Sequence, residues 1–61
     1  MKHLLNKTEQ KMVEDLQQWE DGQWTAYLTP DYAFNFEAGA AFTEDTLAEI
    51  KRQLKNAVTR A

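Results

Sequence analysis

The stretch "WTAYLTPDYAFNF", residues 24–36, holds five of the seven aromatic residues in a chain of 61 residues and contains no basic residue. Aromatic residues and threonine favour β-strands, and apolar side chains alternate with other side chains on both sides of Pro30-Asp31. Proline presets the backbone for the first central position of a turn. The stretch therefore predicts a β-hairpin with strands at about 23–29 and 32–37.

The register of this hairpin decides which face carries the rings. A two-residue loop at Pro30-Asp31 would leave apolar groups on both faces. An odd-numbered loop centred on Pro30 would instead pair Trp24 with Phe36, Ala26 with Phe34, and Leu28 with Tyr32. A one-residue slip moves every side chain to the opposite face, so burial favours the second register. We predict that most of the rings form a core and that Tyr27 lies on the outer face, between Thr25 and Thr29.

The residues before the hairpin predict a helix at about 6–20. Asn6 and Glu9 have the spacing of a capping box, in which each side chain bonds the backbone N–H of the other residue. Gly22 suits the left-handed position that ends many helices. The core-facing stripe of this helix would consist of Leu5, Met12, Val13, Leu16 and Trp19.

The residues after the hairpin predict a second helix at about 44–59. Thr43 is the predicted N-cap, and Glu44 and Asp45 would lie in the first turn, where the helix dipole favours acids. Phe42 would pack on Leu47 next to the cap. The apolar stripe of this helix would consist of Leu47, Ile50, Leu54, Ala57 and Val58.

These elements predict one α+β domain over residues 1–61, in the order α–β–β–α, with two antiparallel helices packed on one face of the hairpin. Two strands alone form a weak sheet, and both edges of the hairpin would be open. A homodimer that joins two hairpins into four strands would remove one open edge and enlarge the core. Self-assembly through the hairpin edges is therefore one hypothesis for the function.

The composition argues against several classes of protein. The chain has no cysteine, which removes disulfides, thiolate metal sites and cysteine nucleophiles. No apolar run approaches the ~20 residues needed to span a bilayer, and no secretory signal is evident at the start. We expect a cytoplasmic protein without a membrane segment.

Charge is segregated along the chain. Residues 1–11 carry +2, residues 12–50 carry nine acids and no base, and residues 51–61 carry +4, for a net charge of −3. Antiparallel helices would place Glu20 and Asp21 near Glu44 and Asp45, forming an acidic end. The opposite end would be basic and would include Lys51, Arg52 and Lys55.

No motif for catalysis, metal or cofactor binding is found in the sequence. The chain has no serine, and its single histidine, His3, lies in a terminus prone to fraying. The stretch from Asp31 lacks the ligands of a calcium loop, with Ala33 and Phe42 at two of the required positions. Two glycines are too few for a phosphate-binding loop. We expect a non-enzymatic protein with no cofactor and no metal.

The leading hypothesis is a protein-interaction module. It would be a small acidic regulator or inhibitor that docks on a basic surface of a larger protein, and small acidic proteins of phages and other mobile elements are similar to it in size and charge. Tyr27 on the outer face of the hairpin is the first candidate for an aromatic anchor. Trp19 is a second candidate if it is only partly covered, although its position in the helical stripe favours the core. A further alternative is weak nucleic-acid binding by Lys51, Arg52 and Lys55; the hairpin itself has no positive groove for a nucleic acid.

Overall fold

In the part of the chain that the structure describes, the fold consists of two small antiparallel sheets and two short α-helices. The computed structural model describes residues 1–34 and 40–59. After a 3-10 turn at Lys2–Leu4, the elements are α1 (Lys7–Met12), β1 (Val13–Gln18), β2 (Trp24–Leu28), β3 (Tyr32–Phe34), β4 (Ala41–Glu44), α2 (Leu47–Leu54) and β5 (Ala57–Thr59). One sheet has the order β1-β2-β4, and the other pairs β3 with β5. The mixture of helices and antiparallel strands was expected, whereas the α–β–β–α arrangement is wrong.

The first helix begins where it was predicted to begin, but it ends much earlier than the predicted residue 20. The Asn6 side chain accepts a hydrogen bond from the Glu9 N–H at 2.8 Å, and the Glu9 carboxylate accepts one from the Asn6 N–H at 2.9 Å, so the capping box is confirmed. At Val13 the backbone becomes extended, with φ −110° and ψ 125°. The prediction of a helix as far as residue 20 is therefore wrong.

A β-bulge explains why the segment after Met12 resembled a helix. Along β1, Val13 pairs with Leu28 and Asp15 pairs with Tyr27, so one extra residue is inserted at Glu14. The insertion turns Val13 and Leu16 toward the same side, and both are buried. A spacing of three residues is a helical signal in a regular pattern, but a bulged strand produces it as well.

The turn between β1 and β2 contains the residue predicted to cap a helix. The Gly22 N–H bonds the Trp19 carbonyl at 2.9 Å, and the Trp19 N–H bonds the Gln23 carbonyl at 2.8 Å. Gly22 has φ +92°, the left-handed conformation that follows a tight turn in three-residue hairpin loops. Gly22 therefore closes a hairpin through Glu20 and Asp21 instead of ending a helix.

β2 is the central strand and pairs with different partners from those predicted. Ala26 lies between Leu16 of β1 and Phe42 of β4, not opposite Phe34. The chain turns at Pro30-Asp31, where the Tyr32 N–H bonds the Thr29 carbonyl at 3.0 Å. After this turn β3 leaves the sheet and pairs with β5. The predicted pair of Trp24 with Phe36 lies outside the described residues, as does the rest of the predicted strand beyond residue 34.

The second helix is shorter than the prediction at both ends. Its N-cap is Thr46, whose hydroxyl accepts from the Glu49 N–H at 3.2 Å, while Thr43 and Glu44 belong to β4. Thr46 and Glu49 have the spacing of a capping box, a local signal that the prediction of Thr43 as the cap overlooked. Ala57–Thr59 forms β5, because its strand partner Tyr32–Phe34 is nearby and Val58 and Thr59 favour an extended backbone.

The core lies between the helices and the inward face of the sheets. Its buried members are Leu5, Val13, Leu16, Ala26, Leu28, Phe34, Phe42, Ile50 and Leu54, and Trp24 and Tyr32 pack against them. The rings of Phe34 and Phe42 stack with centroids 4.5 Å apart and join one sheet to the other. The prediction that most of the aromatic stretch forms core thus agrees with Trp24, Tyr32 and Phe34, although through other strand partners. Among the described residues, the helices are too short and polar to cross a bilayer.

The left-handed turn gives a test of the corrected fold. We expect Gly22→Ala to destabilise the protein by about 1–2 kcal/mol, because a Cβ is disfavoured at positive φ. Nothing lies within 4 Å of the position a Cβ would take, so the loss comes from the backbone and not from a collision. Urea denaturation measures it.

Gly22→Asn is the matched control for this substitution, because asparagine tolerates the left-handed region. It should retain most of the stability that Gly22→Ala loses. An equal loss in the two variants would show that the conformation of Gly22 is not the cause.

Candidate functional site

The three-stranded sheet has one face turned away from the core. Strand alternation places Ala26 and Leu28 of β2 on the core side and Thr25 and Tyr27 on the opposite side. We call this opposite side the outer face. Through the strand pairing it consists of Asp15, Gln17, Thr25, Tyr27, Ala41 and Thr43, extended at the hairpin turn by Trp19 and Gln23.

Trp19 is the most prominent side chain of the outer face. It remains 46% exposed, so the prediction that it belongs to the core-facing stripe of a helix is wrong. The indole Nε1–H donates to the Thr25 hydroxyl at 2.6 Å, and that hydroxyl shares a second hydrogen bond of 2.8 Å with the Thr43 hydroxyl. Thr25 is only 6% exposed although it points away from the core. The ring is therefore held in one orientation by a buried polar group.

The acidic residues predicted to lie together are grouped around the hairpin turn. Glu20 and Asp21 are the central residues of that turn, and the end of β4 reaches the same end of the sheet because Trp24 pairs with Glu44. Asp45 follows Glu44 directly. The helices that were expected to bring these carboxylates together are not involved; the β1–β2 turn and the β2–β4 pairing do so.

Gln23 connects the two halves of this acidic end. Its backbone N–H donates to Asp21 Oδ1 at 3.0 Å, and its side-chain amide donates to Asp45 Oδ1 at 2.9 Å. Glu44 is placed differently, since alternation puts it on the side of Phe42, which faces the core. Two of the predicted carboxylates are thus held at fixed positions by the same residue.

Tyr27 lies on the outer face, and its side chain is half-buried. It pairs with Asp15 of β1 on one side and with Ala41 of β4 on the other. Thr25, which accepts the hydrogen bond from Trp19, is its neighbour on the same face of β2. Both predicted aromatic anchors therefore belong to one continuous surface.

The basic residues of the alternative hypothesis lie on α2, away from the outer face. Lys51 Nζ lies 3.5 Å from Glu9 Oε1, and Arg52 forms an ion pair with Glu49. Lys55 is exposed. A shallow groove of about 200 Å³ between α1 and α2 is lined by Asn6, Thr8, Glu9, Met12, Lys51, Leu54 and Lys55. The two ion pairs reduce the positive charge that α2 would present to a phosphate backbone.

Three residues that matter for this surface were missed by the sequence interpretation. Thr25 and Thr43 were assigned to a polar face and to a helix cap, and Gln23 received no role. The available signal was the run Glu20-Asp21-Gly22, an acidic pair followed by glycine between two strand-like segments, which is a hairpin signature. Within residues 1–34 and 40–59, no three acidic, histidine or cysteine side chains converge as metal ligands would.

The contact between Trp19 and Thr25 can be tested directly. We expect Thr25→Val to cost about 1 kcal/mol, because the indole N–H and the Thr43 hydroxyl each lose a hydrogen-bond partner at a part-buried site. The Trp19 indole N–H signal in a two-dimensional NMR spectrum should shift toward the position of a solvated indole.

Thr43→Val is the control for the same network. It removes the outer hydrogen bond and leaves the contact between Trp19 and Thr25, so the indole signal should move much less. An unchanged indole signal in Thr25→Val would contradict the hydrogen bond.

No family model matches the chain, and neither a curated protein nor a solved structure matches it. The side chains of the outer face and the acidic end are therefore the basis for a functional conclusion.

Proposed function

We propose that this protein is a non-enzymatic protein-interaction module, a small acidic regulator or inhibitor that docks on a basic surface of a larger protein. The docking surface is the outer face together with the acidic end formed by Glu20, Asp21 and Asp45. The module acts by occupying a basic site and excluding its usual ligand. The absence of cysteine fits work in the cytoplasm.

The single observation that supports this proposal most is the exposed, fixed ring of Trp19. A tryptophan that is 46% exposed leaves a large apolar surface in water. Its indole N–H is already bonded to a buried hydroxyl, so little side-chain freedom remains to be lost when a partner covers the ring. Tryptophan and tyrosine are enriched among residues that dominate binding energy, and Tyr27 lies on the same face.

Charge supplies the second line of support. The sheet end near Trp19 is built from the segment of residues 12–50, which contains nine acids and no base. Such a surface attracts a positively charged partner over about one Debye length, ~8 Å at physiological salt, and raises the rate of encounter. Glu44 reaches the same end from the core side of the sheet and adds to this field.

The proposal is tested by capture from a lysate of cells that produce the protein. We expect the immobilised chain to retain a basic protein that is released by salt and is then identified by mass spectrometry. The double variant Glu20→Gln/Asp21→Asn should lose most of this retention, because the carboxylates nearest Trp19 become neutral.

The matched control is Glu14→Gln/Asp31→Asn. It changes the net charge by the same amount, but Glu14 and Asp31 lie near the other end of β2, beside the pairing of Val13 with Leu28 and the Pro30 turn. The control should retain the partner. Equal losses in both variants would show that only total charge matters and would refute docking through the acidic end.

A second candidate function is self-association through β4, which corresponds to the homodimer hypothesis with a different strand. In the described part of the chain, β4 is paired only with β2, and an open strand edge can pair with a second copy. Light scattering should then give a particle of twice 7.1 kDa that persists at high salt, because main-chain hydrogen bonds carry the contact. A mass of 7.1 kDa at all concentrations would exclude this candidate.

No observation in residues 1–34 and 40–59 favours the nucleic-acid alternative. Lys51 and Arg52 both have carboxylate partners, and the aromatic outer face carries no base.

A further inference from the structure

The geometry around Trp19 points to a specific side chain of the partner. We propose that the partner contributes an arginine, whose guanidinium stacks on the exposed face of the Trp19 indole and pairs with the carboxylates of Asp21 and Asp45. This inference rests on the proposed function and names the chemistry that the docking surface recognises.

The first step of the argument is the position of the ring relative to the carboxylates. Trp19 and Gln23 are opposite each other across the hairpin, as the 2.8 Å bond from the Trp19 N–H to the Gln23 carbonyl shows. Gln23 bonds Asp45 on its far side at 2.9 Å. Strands lie ~4.8 Å apart, so the backbones of Trp19 and Asp45 are about two strand spacings, ~10 Å, apart across the sheet end. The indole reaches over β2 to bond Thr25, and the Asp45 carboxylate bonds the side-chain amide of Gln23, which directly precedes that strand, so a guanidinium stacked on the ring can donate across Gln23 toward that carboxylate.

The second step concerns the carboxylate oxygens of Asp21 and Asp45 that can still accept a hydrogen bond. Asp21 and Asp45 each accept a hydrogen bond from Gln23 through Oδ1. Among the described residues, neither Oδ2 atom accepts one. The carboxylates are therefore held in place by Gln23 and keep acceptor capacity for a donor that approaches over the outer face.

The third step distinguishes arginine from lysine. A guanidinium is planar, stacks on an indole face and donates several hydrogen bonds in its own plane, whereas an ammonium is a compact and strongly hydrated charge. The surface combines a flat ring with carboxylates located to one side of it. A planar cation that stacks on the ring and donates hydrogen bonds in its own plane satisfies both features, and arginine does so whereas lysine does not.

The experiment uses two synthetic nonapeptides with capped ends, identical except that three alternate positions are arginine in one and lysine in the other. Each is titrated into the full chain labelled with 15N, and binding is followed by NMR. We expect the arginine peptide to bind roughly fivefold more tightly, with shifts in the Trp19 indole N–H and the Gln23 side-chain amide.

Variants of the protein test which residues cause the preference for the arginine peptide. Trp19→Leu should reduce the ratio between the two peptides to about one, whereas Trp19→Phe keeps an aromatic face and should retain part of it. The amide spectrum away from the hairpin turn reports whether each variant is folded. Asp21→Asn/Asp45→Asn should weaken both peptides, and Glu14→Gln/Asp31→Asn should weaken them much less.

The outcomes separate this inference from the proposed function. Equal affinity for the two peptides, lost when Asp21 and Asp45 are neutralised, overturns the arginine assignment and leaves docking on a basic surface intact. An arginine preference that survives in Trp19→Leu also overturns it. Absence of binding by both peptides overturns the assignment as well, and the lysate capture then judges the proposed function independently.

Discussion

The pairing of β1 with β2 through the turn at Glu20–Gly22 is the interaction on which the rest of the structure depends. It gives β2 its first neighbour and leaves its other edge for β4, so that Ala26 and Leu28 are covered on the core side and Thr25 on the outer side. A 61-residue chain can bury only a limited part of its surface. A central strand with side chains buried on both faces removes more surface from water per residue than an isolated two-stranded hairpin would.

Local signals in the sequence were sufficient for parts of the fold. The Asn6–Glu9 capping box, the strand at Trp24–Leu28, the turn at Pro30-Asp31 and a helix through Ile50 and Leu54 all follow from side-chain chemistry within a few residues. What could not be predicted is pairing over longer distances. The bulge at Glu14 gave β1 a helical spacing of apolar residues, and β3 pairs with β5, whose residues Ala57 and Val58 were predicted to continue the second helix.

Some residues of the candidate site could be predicted from the sequence, but the elements that bring them together could not. The sequence predicted an acidic end and named Trp19 and Tyr27 as candidate anchors. The structure groups Trp19, Glu20, Asp21 and Asp45 at one end of the sheet by different means. Helix geometry was the wrong reason, since a turn and a strand pair bring these residues together. The hydrogen-bond chain from Trp19 through Thr25 to Thr43 depends on cross-strand register, which no local pattern contains.

The stack of Phe34 on Phe42 has a consequence for the order in which the molecule opens. β3 and β5 have three residues each, and a two-stranded sheet of that size is not stable alone. Its attachment depends on one pair of rings and on packing of neighbouring side chains against the core. Backbone amides of β3 and β5 should therefore exchange with solvent through local unfolding at a lower free energy than those of β2. The outer face, which consists of residues of β1, β2 and β4, can remain intact while β3 and β5 are locally unfolded.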